Sequence, residues 1–102
     1  GAAELAALPP GALVVNTARG GLIDEGALAA ALAAGRLGGA ALDTTAAEPL
    51  HADHPLRAAP RLILTPHAAA LTDGAFRRMG VEAARNILDF LAGTLRPEVV
   101  VA

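Results

Sequence analysis

The 102-residue sequence contains no cysteine, no tryptophan, no tyrosine and no lysine. Without cysteine it offers neither a disulfide framework nor a thiolate metal site. Its aromatic residues are Phe76 and Phe90 and its formal net charge is −2, which argues against a nucleic-acid surface built on basic patches and stacking rings. No apolar run is long enough to span a bilayer and no signal-peptide pattern opens the chain. We therefore expect a soluble, cytoplasmic protein with no nucleic-acid or membrane partner.

Short apolar runs alternate with alanine- and leucine-rich stretches. These patterns predict strands at 13–16, 37–42 and 62–65, and helices that end at Leu8, cover 26–34 and run from Thr72 or Asp73 to Ala92. Alternating strands and helices are typical of a parallel sheet with right-handed crossovers, so we predict an α/β fold. Because a parallel sheet needs both faces covered and this chain supplies about half of the helices, we expect part of a larger domain, cut at its amino-terminal side.

The two longer predicted helices carry recognisable end signals. Asp24 can cap the first helix, with Glu25 in its first turn, and Gly35 suits a left-handed stop, as Gly93 does for the second. The second helix is amphipathic, so we expect its apolar face to pack inward and its charged face to form ion pairs. The apolar face is Phe76, Met79, Ala83, Ile87 and Phe90, and the charged face is Arg78, Glu82, Arg85 and Asp89. A short extended tail is predicted at 99–101.

Chemically useful side chains follow each predicted strand. Arg19 follows the first strand, Asp43 closes the second, His67 follows the third, and Glu48 lies in the loop after the second. The carboxyl ends of parallel strands share one edge of the sheet, where ligands bind in open α/β folds. We therefore expect these side chains to converge on one ligand.

This set of side chains suits the reduction of a 2-keto acid. Arg19 would hold the carboxylate with its forked N–H donors and polarise the ketone. His67 would give a proton to the ketone oxygen as hydride reaches the carbon. Glu48 would accept the other ring N–H of His67, fix the tautomer and support the protonated ring. The residues do not by themselves identify the hydride donor.

Plainer interpretations of the same residues stay open. Arg19 can be a surface residue on a tight turn, and His67 a loop histidine with satisfied hydrogen bonds. Glu48 can be a solvated loop acid, and Asp43 a residue that only forms the turn at a strand end. The joint placement at strand ends favours the catalytic interpretation.

Other titratable residues are interpreted as structural. His51 and His54 lie in the long loop with Asp53 between them, but the two histidines have no third convincing ligand and no helix to hold them. We interpret them as a solvated loop and predict no metal site. Asp24 and Glu25 are interpreted as helix caps rather than as ligands.

Five stretches of the sequence, in order, resemble one protein family. They are 8–24, which ends in VVNTARGGLID; EGAL at 25–28; GAALD at 39–43; EPL at 48–50; and LTPH at 64–67. They are similar to the motifs of the D-isomer-specific 2-hydroxyacid dehydrogenases. The resemblance covers nearly the whole chain at the expected spacings, which makes it far more specific than a lone glycine motif.

The resemblance implies a fold, a cofactor and a set of site residues. Residues 1–71 would be the carboxyl-terminal half of a Rossmann-type NAD(P)-binding domain, and 72–102 a helix and tail that return to the substrate domain. Arg19, Glu48 and His67 would be the catalytic residues. The cofactor would be NAD or NADP, and the residues implied to bind it are Thr17, Ala18, Arg19, Asp43 and His67. Asp43 would hydrogen-bond the nicotinamide carboxamide.

The sequence departs from the family pattern in three places. Thr44 and Thr45 stand where the family usually has an aliphatic and then an aromatic residue, so we expect looser packing there. Two alanines at 69–70 stand where the family often has two glycines. The glycine-rich phosphate loop and the acid that binds the ribose are absent from these residues.

The sequence therefore predicts part of an oxidoreductase that transfers a hydride between NAD(P)H and a 2-keto acid/D-2-hydroxy acid pair. The resemblance implies a homodimer, and we expect the 102-residue piece alone to be inactive. Two other functions stay open. One is a non-catalytic, dinucleotide-sensing or corepressor-like relative, and the other is a truncated interaction fragment whose exposed sheet edge pairs with a partner.

Overall fold

The computed structural model describes residues 1–100. The chain divides into two compact units, Gly1–Ala69 and Ala70–Ala102, and each is described by itself. The first unit consists of α1 (Ala2–Ala7), β1 (Leu13–Asn16), α2 (Glu25–Ala33), β2 (Gly39–Leu42) and β3 (Leu62–Leu64), with 3-10 turns at Gly20–Leu22 and Pro55–Ala58. The described part of the second unit contains α3 (Asp73–Leu91) and a 3-10 turn at Pro97–Val99.

The three strands form one parallel sheet in the order β1-β2-β3, which confirms the predicted α/β fold. The register pairs Asn16 with Leu42 and Leu42 with Leu64, so the strands end at the same level. Neighbouring strands are about 4.8 Å apart, which puts the carboxyl ends of β1 and β3 about 10 Å apart. Side chains just beyond these ends share one edge of the sheet.

The core of the first unit lies on one face of this sheet. Leu28 and Leu32 are both fully buried, because residues four apart lie on the same face of α2. They pack with Leu37, Leu42 and Leu56, which are 0–2% exposed. Leu56 belongs to the long loop after β2, so this loop is anchored in the core at its far end.

The opposite face of the sheet is open. Leu13, Val15 and Ile63 are 64–76% exposed there, while Val14 and Asn16 point toward the core side. Although the sequence of β1 is mostly apolar, only half of its side chains face the core, because successive residues of a strand point to opposite faces. The single covered face agrees with the expectation that this chain supplies about half of the helices a parallel sheet needs.

Polar contacts fix the ends of the first unit's helices. The carboxylate of Asp24 accepts the Ala27 N–H at 2.9 Å, which confirms Asp24 as the cap of α2. Gly35 has a φ of +71°, the left-handed conformation expected after this helix. The Arg36 guanidinium donates to the Leu8 carbonyl at 2.8 Å and so stabilises the segment that follows α1.

Gly38 stands where two backbone segments meet. It directly precedes β2, which begins at Gly39 and not at the predicted residue 37. The other strand bound that differs is the end of β3, at Leu64 and not at 65. A Cβ built on Gly38 would lie 2.4 Å from the Gly11 carbonyl oxygen, which is backbone and cannot rotate away. The two backbones therefore approach closely here, which glycine in a strand region permits.

α3 begins and ends where the sequence predicted. The Thr72 hydroxyl accepts the Ala75 N–H at 3.2 Å, so Thr72 rather than Asp73 is the cap. Gly93 has a φ of +69°, two residues after the helix ends. The capping signals thus locate a helix of 19 residues to within one or two positions.

The faces of α3 differ from the prediction. On the charged face the described chain has one of the expected ion pairs, Glu82–Arg85 at 3.2 Å, and Glu82 also lies 3.8 Å from Arg96. No residue of α3 is buried, and Phe76 and Phe90 are 68% and 69% exposed. The expectation that the apolar face packs inward is therefore wrong for the described chain.

The carboxyl-terminal tail is also different. Pro97–Val99 form a 3-10 turn, so the predicted extended segment is wrong at Val99, whereas Val100 has an extended backbone (φ −90°, ψ 118°). Proline fixes φ near the value needed at the first position of such a turn, and this local preference prevails over the β propensity of valine. Val101, the last residue of the predicted tail, lies outside the described residues.

Replacing Gly38 by alanine tests the close approach to Gly11. We expect Gly38→Ala to lower the free energy of unfolding by about 1–3 kcal/mol, because overpacking forces the backbone apart. Gly80→Ala is the control, since a Cβ there meets nothing within 4 Å, and we expect no loss or a gain of up to about 1 kcal/mol. Urea denaturation of the two variants measures both effects, and equal stability would contradict the assignment.

Candidate active site

The turn after β1 is built by Asn16, a residue to which the sequence analysis assigned no role. Its buried side chain accepts the Ala18 N–H at 3.0 Å and donates to the Arg19 carbonyl at 2.8 Å. These two bonds replace the strand hydrogen bonds that end at this point. The signal was present in the sequence, since asparagine at a strand end commonly satisfies the backbone of the next few residues.

This turn leaves Thr17, Ala18 and Arg19 exposed at the carboxyl edge of the sheet. Arg19 has an extended backbone, and one of its N–H groups donates to the Ala18 carbonyl at 2.6 Å. A guanidinium carries five N–H donors, so donors remain for a ligand. The three residues therefore lie at the edge where the sequence predicted a site.

Asp43 holds the loop that follows β3. Asp43 is 5% exposed, and its carboxylate accepts three hydrogen bonds, from the Thr65 hydroxyl at 2.6 Å and from the N–H groups of Ala68 and Ala69 at 2.8 and 2.9 Å. These hydrogen bonds hold the pKa of Asp43 below its ordinary value. The bond from the Thr65 hydroxyl lowers this pKa most, and the bond from the Ala69 N–H comes next. Asp43 is thus more than a turn former, because it fixes a segment of a neighbouring strand's loop.

His67 lies within the segment that Asp43 holds. Its N–H donates to the Asp43 carbonyl at 2.9 Å and its φ is +54°, in the left-handed region that few residues other than glycine adopt. Such a conformation costs free energy and persists where surrounding contacts over-determine it. Here the bonds to Asp43 on both sides of the residue supply those contacts.

Glu48 and His67 form a hydrogen bond across two loops. The Glu48 carboxylate lies 2.8 Å from His67 Nδ1 and also accepts the Thr45 N–H at 3.1 Å. These two hydrogen bonds, with that from His67 the stronger, lower the pKa of Glu48 from its ordinary value, so the acid is charged at neutral pH. Because a carboxylate only accepts hydrogen bonds, we assign a proton to Nδ1 of His67. Nε2 is then the ring nitrogen that can face a ligand.

A cavity of about 400 Å³ lies beside this pair. Asp43, Glu48 and His67 line it together with apolar groups that include Pro49 and Leu50. Arg19, Thr17 and Ala18 do not line this cavity, although they share its edge of the sheet. The structure therefore brings three of the predicted site residues into one cavity and leaves the β1 turn beside it.

The two threonines after Asp43 differ in how they are satisfied. Thr44 is 2% exposed, and its hydroxyl has no hydrogen-bond partner among residues 1–100. The Thr45 hydroxyl donates to the Ala47 carbonyl at 2.8 Å. The expected looser packing is therefore not seen at Thr44. Threonine at this position instead costs stability because its buried hydroxyl makes no hydrogen bond.

Glu25 and His54 were interpreted as a helix cap and a solvated residue, and both interpretations are wrong. Glu25 is buried, accepts the Ala46 N–H at 2.6 Å and lies 3.4 Å from the ring of His54. His54 is half-buried and its other ring nitrogen accepts the Leu56 N–H at 3.3 Å. First-turn acids are usually solvated, so only the fold reveals that the loop covers this one.

In the described part of the chain, no cluster of three or more histidine, cysteine or acidic residues could hold a metal ion. Within residues 1–100, none of the helices has the length and apolar character needed to cross a membrane.

The comparisons with known proteins identify the family. A protein-family model described as "D-isomer specific 2-hydroxyacid dehydrogenase, NAD binding domain" matches residues 1–69. The chain therefore belongs to the D-isomer-specific 2-hydroxyacid dehydrogenase family, as its motifs indicated. A glyoxylate reductase of Aeropyrum pernix is 42% identical over 100 residues, which cover 98% of this chain and 30% of that protein.

Two solved structures extend the likeness to the fold. A D-lactate dehydrogenase with NAD+ from Lactobacillus jensenii has a TM-score of 0.79 at 33% identity, covering all of this chain and 34% of that one. A D-isomer specific 2-hydroxyacid dehydrogenase from Xanthobacter autotrophicus, in complex with NADPH and MES, has a TM-score of 0.77 at 40% identity, covering 90% of this chain and 37% of that one. The fold is thus part of a Rossmann-type domain, and the chain spans about a third of the length of these relatives.

The adjacent threonines give a paired test. We expect Thr44→Val to raise the free energy of unfolding by roughly 1–3 kcal/mol, because it removes an unsatisfied buried hydroxyl at constant shape. Thr45→Val removes a made hydrogen bond, and we expect a loss of about 1 kcal/mol. Chemical denaturation compares the two, and a loss in Thr44→Val would mean that its hydroxyl is satisfied.

The lowered pKa of Asp43 gives a pH test. Its folded-state pKa is below the ordinary value of 3.8, so its contribution to stability is present above that pH and lost as pH falls through the lower value. We expect Asp43→Asn to melt lower than wild type at neutral pH, with the gap closing as pH falls below 3.8. Melting curves against pH measure this, and Asp53→Asn, at an exposed loop position, is the control. A gap that stays constant in acid would contradict the role of the charge.

Proposed function

We propose that the full-length protein catalyses hydride transfer between NAD(P)H and a 2-keto acid, forming a D-2-hydroxy acid. The observation that carries this proposal is the 2.8 Å contact between Glu48 and His67 Nδ1, which leaves Nε2 for a substrate oxygen beside a cavity. Arg19 on the neighbouring turn supplies the positive charge that a 2-keto acid requires.

The names of the relatives support this reaction class. One relative is a glyoxylate reductase and another is a D-lactate dehydrogenase, and both names describe conversions between a 2-keto and a 2-hydroxy acid. One solved relative holds NAD+ and another holds NADPH, so the proposed cofactor is NAD or NADP.

The residues at the sheet edge fit a nicotinamide group. Three hydrogen bonds engage the Asp43 carboxylate, two at Oδ1 and one at Oδ2, so one acceptor position remains at Oδ2 for a carboxamide N–H. Thr17, Ala18 and Arg19 are exposed and would border the ring from the β1 side. When bound, the cofactor supplies the hydride.

The proposed roles of the chain's own residues follow from the contacts. Arg19 binds the substrate carboxylate with the donors that Ala18 does not use, and orients the ketone. His67, protonated on both nitrogens, gives its Nε2 proton to the ketone oxygen. Glu48 stays charged because of its lowered pKa, and so stabilises the imidazolium before the proton leaves. Asp43 holds the backbone of His67 in place.

The domain assignment is part of the proposal. We assign residues 1–71 to the dinucleotide-binding domain and 72–102 to a segment that returns to the substrate domain. The family match to residues 1–69 supports the first assignment. A homodimer and a cytoplasmic location stay predictions.

Kinetics of three variants of the full-length protein test the proposal. We expect His67→Gln to lower kcat by about 10²- to 10⁴-fold, because the general acid is lost. We expect Arg19→Ala to weaken keto-acid binding and turnover together, since one group binds the carboxylate and polarises the ketone. Arg78→Ala, at an exposed position on α3, is the control and should behave as wild type. The assay follows NAD(P)H absorbance with glyoxylate and pyruvate.

Two outcomes would contradict the proposal. Wild-type protein that oxidises neither NADH nor NADPH with these keto acids, yet binds a dinucleotide by calorimetry, would favour the non-catalytic, dinucleotide-sensing alternative. Unchanged kinetics in Arg19→Ala would remove the main assignment of the site.

A further inference from the structure

Glu25 is a buried carboxylate that the proposed reaction does not use. Its side chain is 8% exposed, and its two oxygens contact different parts of the long loop after β2. One accepts the Ala46 N–H at 2.6 Å, and the other lies 3.4 Å from His54 Nε2. An acid buried among loop contacts loses solvation, so such a position needs hydrogen bonds to offset the cost, and these bonds join α2 to the loop.

The peptide that Glu25 holds also touches the turn of Arg19. A Cβ built on Gly20 would lie 2.0 Å from the Thr45 carbonyl carbon and 2.2 Å from the Ala46 nitrogen. The backbone of Gly20 and the Thr45–Ala46 peptide are therefore in direct contact, at a distance that no other residue at 20 permits. Gly20 directly follows Arg19, so this contact joins the turn after β1, which carries Arg19, to the loop after β2, which carries Glu48.

The adjoining Thr44–Thr45 peptide supplies one of the hydrogen bonds to Glu48. The Thr45 N–H donates to the Glu48 carboxylate at 3.1 Å, and that carboxylate then reaches His67. The Thr44–Thr45 and Thr45–Ala46 peptides are joined at the Thr45 Cα, so the position of the second peptide constrains one of the two contacts that orient Glu48. Glu25 holds this peptide through the Ala46 N–H.

His54 links the same carboxylate to the far end of the loop. Its Nδ1 accepts the Leu56 N–H at 3.3 Å, so its ring proton is assigned to Nε2, the atom that faces Glu25. Leu56 is 1% exposed in the core. Glu25 is therefore connected both to the start of the loop and, through His54, to its buried anchor.

We propose that Glu25 is a positioning residue for the candidate active site: it holds the Thr45–Ala46 peptide against Gly20 and so sets where Glu48 lies relative to Arg19. This inference rests on the proposed function. Helix capping does not account for Glu25, because the adjacent Asp24 already caps α2 through the Ala27 N–H.

Neighbouring carboxylates of one helix provide a matched test in the full-length protein. We expect Glu25→Ala to lower kcat on the order of 10- to 100-fold, with a smaller change in KM, because misplaced catalytic groups affect turnover more than binding. Glu25→Gln should recover most of the loss, since its amide oxygen can still accept the Ala46 N–H. Asp24→Ala removes the cap of the same helix and should lower stability without this loss of kcat.

A second readout does not depend on activity. NMR titration of carbon-labelled glutamate measures the pKa of Glu48, which His67 and the Thr45 N–H lower and the nearby charge of Asp43 raises. We expect this pKa to rise toward its ordinary value in Glu25→Ala, because the Thr45 N–H is no longer held in place, and to stay unchanged in Asp24→Ala. Glu25→Asp keeps the charge but shortens the reach, so it gives the same test if Glu25→Ala does not fold.

The outcomes separate this inference from the proposed function. Equal losses of kcat in Glu25→Ala and Asp24→Ala, or an unchanged Glu48 pKa in Glu25→Ala and Glu25→Asp, would overturn the positioning role. An inactive wild-type protein would overturn the proposed function, while the titration of Glu48 would still decide whether Glu25 holds the turn.

Discussion

The carboxylate of Asp43 ties the end of β2 to the loop that follows β3. It accepts a hydroxyl and two backbone N–H groups from that loop, and its own carbonyl accepts the N–H of His67. These bonds hold His67 in a left-handed backbone conformation that a free loop would leave. The placement of the imidazole beside Glu48 therefore depends on the residue that follows the middle strand, so the end of this strand connects the elements of the candidate site.

The other half of the site depends on a second set of polar contacts. Asn16 closes the turn after β1, and Gly20 lets this turn touch the Thr45–Ala46 peptide. Glu25 holds that peptide from α2. The side chains proposed to do the chemistry are exposed or half-exposed, whereas Asn16, Glu25 and Asp43, which hold their backbones, are buried. A preorganised site requires buried supporting residues of this kind, which hold the reactive groups in place.

Much of this arrangement could be predicted from local patterns. Apolar runs, capping residues and glycines are short-range signals, and they gave the parallel sheet and the helix ends at Asp24, Gly35 and Thr72. Placement of Asp43 and His67 at one sheet edge also followed, because strand ends meet by topology. Contacts between distant segments could not be predicted: Glu25 looks like any first-turn acid until a loop more than twenty residues later covers it. The exposed faces of β1 and α3 were missed because pattern alone shows that a residue is apolar and not what covers it.

The open face of the sheet has a practical consequence for anyone who handles this polypeptide. Leu13 and Val15 of β1 and Ile63 of β3 form an apolar surface with Ala41 of β2 between them, and the outer edges of β1 and β3 lie beside it. Surfaces of this kind adhere to one another in concentrated solution, and unpaired strand edges can template intermolecular pairing. A preparation of these residues alone should be prone to self-association and precipitation, with losses that grow with concentration and with kosmotropic salts.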